Sequence, residues 1–175
     1  MDLFEVIRKR RSVRAYVDKD IDDERLQSVL EAANSAPSAG DLQGYEIVVV
    51  RTREQKEALS KAAFDQRFIA QAPIALVLVA NQKKSSTRYG ERGAKLYSIQ
   101  DATIAGCYIQ LAATAIGLAT CWVGAFDSRG VAKVIGANME EGMVPVAVIP
   151  IGYSSESPKA TPRRKLADIL HQERL

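Results

Sequence analysis

From residue 102 to residue 126 the chain carries no charged side chain, the longest such run in a sequence that is 26% charged overall. A run of this kind must be buried, in lipid or in protein. Its length would cross a bilayer, but it is built from Ala, Gly and Thr with Gln110 inside, and Gly117 divides it. Small and polar residues gain too little from lipid to make a membrane span. The run therefore predicts a buried helix over 98–116 followed by a strand over 120–123. Ala102, Ala105, Gly106, Ala112 and Ala113 allow close helix contacts, and the lack of charge implies that several faces are covered. A chain of 175 residues has limited means of covering such a helix. A subunit interface would do so; a monomer with a central helix is the alternative.

The rest of the chain supplies alternating elements. Residues 2–10 predict an amphipathic helix with Leu3, Val6 and Ile7 on one face. The acidic run 20–24 favours a second helix start, through capping and the helix dipole, and that helix stops before Pro37. Strands are predicted over 45–50, 74–80 and 144–151, and helices over 54–63 and 128–135. The polar stretch 81–95, with Gly90 and Gly93, predicts a mobile loop, and the tail 154–162 leads to a short final helix over 166–170. No repeat occurs. Strands lying beside helices imply one layered α/β or α+β domain over 1–175.

Composition removes several chemistries. The single histidine, His171, is the fifth residue from the end, so no Ser/His/Asp or Cys/His constellation forms around it easily. No zinc spacing occurs, and both G-x-G-x-x-G and the phosphate-loop pattern are missing. An enzyme with this inventory borrows its reactivity from a cofactor. Cys107 and Cys121 lie in apolar surroundings, which predicts two buried thiols in a reducing cytoplasm. The first residues lack the basic-then-apolar profile of a signal peptide. With 24 basic and 21 acidic residues, the global charge does not point to a nucleic-acid coat.

The positive charge is clustered, however. Arg8, Lys9, Arg10, Arg11 and Arg14 fall within seven positions. In extended backbone Arg10, Ser12 and Arg14 point the same way, two guanidinium groups flanking a hydroxyl. Arg163 and Lys165 repeat the spacing near the other end. A solvated basic face or an RNA patch satisfies this spacing as well as an anion site does.

Five motifs in order narrow those alternatives: Arg-Arg-Ser-Val-Arg at 10–14, Ala-Pro-Ser-Ala-Gly-Asp-Leu-Gln at 36–43, Gly-Leu-Ala-Thr-Cys-Trp-Val-Gly at 117–124, Ile-Gly-Tyr at 151–153 and Pro-Arg-Arg-Lys-Leu at 162–166. Together they resemble the nitroreductase family of FMN-dependent NAD(P)H oxidoreductases. The resemblance implies an α+β layered fold, a central, mostly antiparallel sheet flanked by helices, and a homodimer with FMN at the subunit interface. It implies that Arg10, Arg11, Ser12 and Arg14 hold the FMN phosphate, ribityl chain and pyrimidine edge, with Arg163 and Lys165 completing the phosphate grip. Pro37, Ser38 and Ala39 would reach the flavin from the partner subunit, supported by Gln43. Trp122, Val123, Gly124 and Ala125 would run along the isoalloxazine, the Gly124 N–H meeting N5, and Gln66 would contact the pyrimidine.

No side chain is then needed as a catalytic acid or base, because the flavin carries the chemistry. The expected reaction is ping-pong hydride transfer from NAD(P)H to a nitroaromatic, quinone or flavin, in a cytoplasmic flavoprotein that uses neither nucleic acid nor membrane. A dehalogenase, a flavin-fragmenting enzyme and a non-catalytic FMN store are the alternatives. The chain departs from the usual family loop at Asp41, where Asn is common, and at Gly44-Tyr45, where Pro-Trp is common.

Overall fold

All eight residues of strand β2 (Ile74–Asn81) are buried, which explains why it reads as an unbroken apolar run rather than an alternating one. The computed structural model describes residues 1–174 and covers both faces of this strand. On one face Ile74, Leu76 and Leu78 meet helices α2 (Asp23–Asn34) and α6 (Ser98–Ala115). On the other, Ala75, Val77 and Val79 meet α3 (Arg53–Ala62) and α7 (Ser128–Ile135). The period-two alternation survives, but as apolar against apolar.

Strand β1 (Tyr45–Val50) pairs with β2, which pairs with β4 (Met143–Gly152), and the two-residue β3 (Ala119–Thr120) closes the order β1-β2-β4-β3. All three ladders are antiparallel. A single parallel bridge, Ser12 to Thr120, attaches the N-terminal segment to the sheet edge. The expected α+β layering with a mostly antiparallel sheet is what forms.

Helix starts follow local chemistry. Asp2, Asp22, Thr52 and Asp127 each accept a backbone N–H in the first turn of α1 (Leu3–Lys9), α2, α3 and α7 respectively. Gly136, left-handed at φ 69°, ends α7. In α6 a Cβ on Gly106 would collide with Leu78 Cδ1 and Trp122 Cζ3, so this position must be small for the helix to reach the sheet.

Several sequence expectations need correction. The stretch 81–95 is a helix, α5 (Gln82–Arg92), followed by a wide turn, Gly93–Tyr97, that runs into α6. Asn81 caps α5 by accepting the Lys84 N–H, and Ser85, within the helix, is fully buried. Gly90 does break the helix, at φ 54° and ψ −141°. Gly93 is there because a Cβ would lie 2.5 Å from the Ser85 carbonyl oxygen. The third strand covers only Ala119–Thr120, and beyond it Val123 alone bridges to Val148. A four-residue helix, α4 (Phe68–Gln71), precedes β2. The C-terminal helix is a single 3-10 turn, Leu166–Asp168.

Cys107 is exposed, not buried, because it lies on the outer side of α6. Helix α1 buries only Val6 and leaves Leu3, Phe4 and Ile7 at least half exposed. No helix among the described residues is long and apolar enough to cross a membrane.

Candidate functional site

The basic run is positioned by the end of α1 and the edge of the sheet. Arg11 folds back, its Nη1 donating to the carbonyls of Arg8 (2.6 Å) and Arg10 (2.9 Å), which the helix end leaves unpaired. The backbone then extends, and the Val13 N–H donates to the Thr120 carbonyl at 3.0 Å. Val13 and Tyr16 turn inward and are buried, which places Arg14 on the outer face. The Arg14 N–H donates to Glu156 Oε1 at 2.5 Å, and its guanidinium lies 6.0 Å from the Phe68 ring centre.

Arg10, Arg11, Ser12, Arg14 and Arg163 line one cavity of about 530 Å³, together with Arg8 and Lys159. Pro158, Ala160, Thr161 and Ile7 complete the wall, and no carboxylate faces it. Six cations, with Glu156 turned to the Arg14 N–H outside the cavity lining, form an anion trap, and arginine adds planar bidentate donors. Lys165 is exposed and does not line this cavity.

The segment Trp122–Ala125 leaves the sheet after Thr120. Trp122 and Val123 pack into the two core layers, while Gly124 and Ala125 stay exposed. The Gly124 N–H bonds to nothing among the described residues. Gln66 is tied to this segment: its Nε2 donates to the carbonyls of Ala125 (3.0 Å) and Ala63 (2.9 Å). Both amide hydrogens are thus committed, which leaves Oε1 as the acceptor. Burial pushes the Cys121 thiol up, so it stays protonated at neutral pH and is an inert packing group rather than a nucleophile.

Pro37, Ser38 and Ala39 line a different cavity, of about 540 Å³, with Tyr97, Ile99, Gln100, Asp101, Thr103 and Ile104. Their loop is strained. Gly40, Asp41 and Gln43 all have positive φ, at 58°, 57° and 50°. Left-handed non-glycine residues cost on the order of 1 kcal/mol each, so neighbouring groups must hold the loop in place. Ser38 Oγ accepts the Gln43 N–H at 2.9 Å, so Gln43 supports the loop through its backbone.

The principal clamp is Asp101, 2% exposed, whose two carboxylate oxygens accept the N–H groups of Ala39 (2.9 Å) and Gly44 (3.3 Å). Reasoning from the sequence missed Asp101. The available signal was that it is the sole charged residue in an otherwise uncharged helix. Helix α5 adds a second brace: Gly40 lies under Tyr89 and Arg88, where a Cβ would collide with the Tyr89 hydroxyl. Asp41 is exposed.

No cluster of three or more His, Cys, Asp or Glu side chains suited to a metal occurs among the described residues. A basic cradle for an anion, an apolar strip beside it and a separate small-residue loop make up the arrangement. Comparison with known proteins places it: the model of the nitroreductase family matches residues 7–67 and 63–153. The chain belongs to the nitroreductase family.

Among individual family relatives, an NADH dehydrogenase of Thermus thermophilus is 31% identical over 175 aligned positions, covering 85% of this chain and 84% of the relative. An FMN reductase [NAD(P)H] of Bacillus subtilis is 27% identical over 174 positions, covering 93% and 70%. The solved structure of an FMN-dependent nitroreductase from Clostridium difficile superposes with a TM-score of 0.83 at 28% identity, over 98% of this chain and 99% of that one. The nitroreductase fold therefore extends along nearly the whole chain.

Proposed function

We propose that residues 1–175 act as one flavin-binding domain of an FMN-dependent oxidoreductase that moves hydride from NAD(P)H to an electron-poor acceptor. The observation that carries this reading is the six-cation cavity at 10–14, which has no carboxylate. A dianionic phosphate fits that donor set, and membership of a family with FMN-dependent relatives supports reading it as that of FMN. The similar proteins named for FMN and NAD(P)H support the same assignment.

FMN, when bound, supplies the atom that accepts hydride and returns it. This chain's residues supply the rest. Arg10, Ser12 and Arg163, which line the cavity, would hold the phosphate and ribityl chain. Arg11 braces the α1 end so that Arg10 stays in place. Arg14 would lie along the pyrimidine edge, where a cation favours the more negative form of the ring. Gln66, with Nε2 committed to Ala63 and Ala125, would offer Oε1 as an acceptor to the same edge. The free Gly124 N–H would face N5, a donor that cannot titrate, and Trp122, Val123 and Ala125 would shape the wall behind the ring.

Pro37, Ser38 and Ala39 lie away from this cradle, which fits their serving the site of a second protomer. The exposed, uncharged side of α6 (Gln100, Thr103, Cys107, Ala115) and the exposed Leu3, Phe4 and Ile7 offer the surface for a homodimer. Two free cysteines suit a reducing cytoplasm.

Two results are expected. Initial-rate plots against NAD(P)H and a nitroaromatic or quinone acceptor should be parallel, as a ping-pong sequence requires, and intersecting lines would exclude it. Iodoacetamide should label Cys107 slowly in the native homodimer and rapidly once the subunits are dissociated, with Cys121 unlabelled in folded protein. Rapid labelling of Cys107 in the native protein would place the subunit interface elsewhere.

A further inference from the structure

We infer that Arg88 and Arg92 form an anion-recognising rim on the cavity beside α6, so that it selects flat aromatic molecules bearing a carboxylate or phosphate. This inference rests on the oxidoreductase reading for its substrate class, and on the geometry of α5 for its residues.

The cavity opens on the α6 face proposed for the homodimer, where the second protomer's flavin site would complete it, and Pro37, Ala39, Ile99 and Ile104 give it an apolar lining. Tyr97 lines it as well, and stands edge-on to Tyr89 with ring centres 5.1 Å apart and planes at 81°. Each tyrosine carries an arginine. The Arg92 guanidinium lies 5.4 Å from the Tyr97 ring centre, and its Nε donates to the Tyr97 hydroxyl at 2.9 Å. The Arg88 guanidinium lies 5.5 Å from the Tyr89 ring centre, and its Nη1 reaches the Gly40 carbonyl at 3.4 Å, next to Ala39 of the lining. The bond to the Tyr97 hydroxyl ties Arg92 to a lining residue, and the contact with the Gly40 carbonyl brings Arg88 beside Ala39, while both side chains stay exposed to an incoming anion.

Neither has a carboxylate within ion-pairing distance among the described residues, in contrast to Arg25, Arg51 and Arg53. The one acid on α5, Glu91, is taken by Lys95. Residues 82–97 carry Lys83, Lys84, Arg88, Arg92 and Lys95 against that single glutamate. Asp101 lines the inner wall, where its carboxylate, partly offset by the Ala39 and Gly44 N–H groups, opposes an anion in the cavity's depth and leaves the rim by Arg88 and Arg92 as the place for one. Asp41, on the same loop as Gly40, contributes one opposing charge.

The anion has two chemical sources, a carboxylate on the acceptor or the phosphates of the nicotinamide donor. The test uses FMN-loaded full-length protein with matched pairs: 4-nitrobenzoate against nitrobenzene as acceptors, and NADH against 1-benzyl-1,4-dihydronicotinamide as donors. In the R88Q/R92Q double variant the 4-nitrobenzoate to nitrobenzene ratio of kcat/KM should fall about tenfold or more. Charge reversal in R88E/R92E should lower it further, and added salt should lower the wild-type ratio. A fall confined to the NADH to benzyl-dihydronicotinamide ratio assigns the rim to the donor's phosphates instead of the acceptor. Both ratios unchanged, with folding intact by circular dichroism, overturns the rim.

A protein that reduces neither acceptor would defeat the oxidoreductase reading, and the rim is then judged by equilibrium dialysis. The Kd for 4-nitrobenzoate should rise about tenfold in R88Q/R92Q. An unchanged Kd overturns the proposal.

Discussion

Arg10→Ala should weaken FMN binding by about ten- to a hundredfold, the worth of one charge-assisted contact of ~1.5–3 kcal/mol. Arg14→Ala should behave differently. Its guanidinium lies beside Phe68 rather than at the end of α1, and the proposed role is at the pyrimidine edge. Loss of that cation should weaken binding and also make the two-electron reduction potential of bound FMN more negative, by roughly 30 mV for each ~1.4 kcal/mol of lost stabilisation. Isothermal titration with FMN and a dye-equilibration potential separate the two effects. Equal affinity losses with no change of potential in either variant would remove the distinction between phosphate and ring contacts.

Asp101→Ala should be the most damaging single change outside the cradle. It strands the N–H groups of Ala39 and Gly44 in a loop that already holds three residues at positive φ. Each orphaned buried donor costs about 1–3 kcal/mol, so a stability loss of ~2–5 kcal/mol is expected in urea unfolding. Asp101→Asn keeps the volume and one acceptor oxygen but turns an NH2 group toward one of the donors, and should recover only part of the loss. Because the loop carries Pro37–Ala39, the Asn variant should lower kcat for the acceptor half-reaction more than it affects FMN affinity. An Asn variant with wild-type stability and kinetics would show that the loop is held by Tyr89 and Arg88 instead.

How much of this was legible in the residues follows from where the signal resides. The strands at 45–50, 74–80 and 144–151 were legible because their apolar runs are bounded by polar or turn residues. The basic cradle was legible because alternation about Val13 is a local property of extended backbone, and Val13 is indeed the inward residue. Helix α5 was not. The polar stretch 81–95 contains two glycines, and Gly93, just past the helix, is demanded by close approach to the Ser85 carbonyl. Nothing local distinguishes a glycine demanded by close approach from one that marks a loop. The exposure of Cys107 was hidden for a related cause: an uncharged helix shows that its faces avoid water, not which of them meets the same chain.

Asp101 was overlooked because its partners are backbone amides, which leave no mark in side-chain spacing. Arg11 looked like a ligand of the same kind as Arg10, whereas its guanidinium also satisfies the carbonyls at the end of α1. The arginines of the cradle were thus readable along the chain, while Lys159 of its lining, the clamp on the 37–44 loop and the basic rim above it belong to tertiary structure.

The most direct measurement is an anaerobic titration of the purified, FMN-reconstituted protein with NADH and NADPH, followed by absorbance. The account predicts a yellow protein whose flavin bands bleach with one equivalent of at least one nicotinamide and return when a quinone or nitroaromatic is added. A protein that remains colourless after incubation with FMN, or whose bound flavin neither nicotinamide reduces, would contradict it.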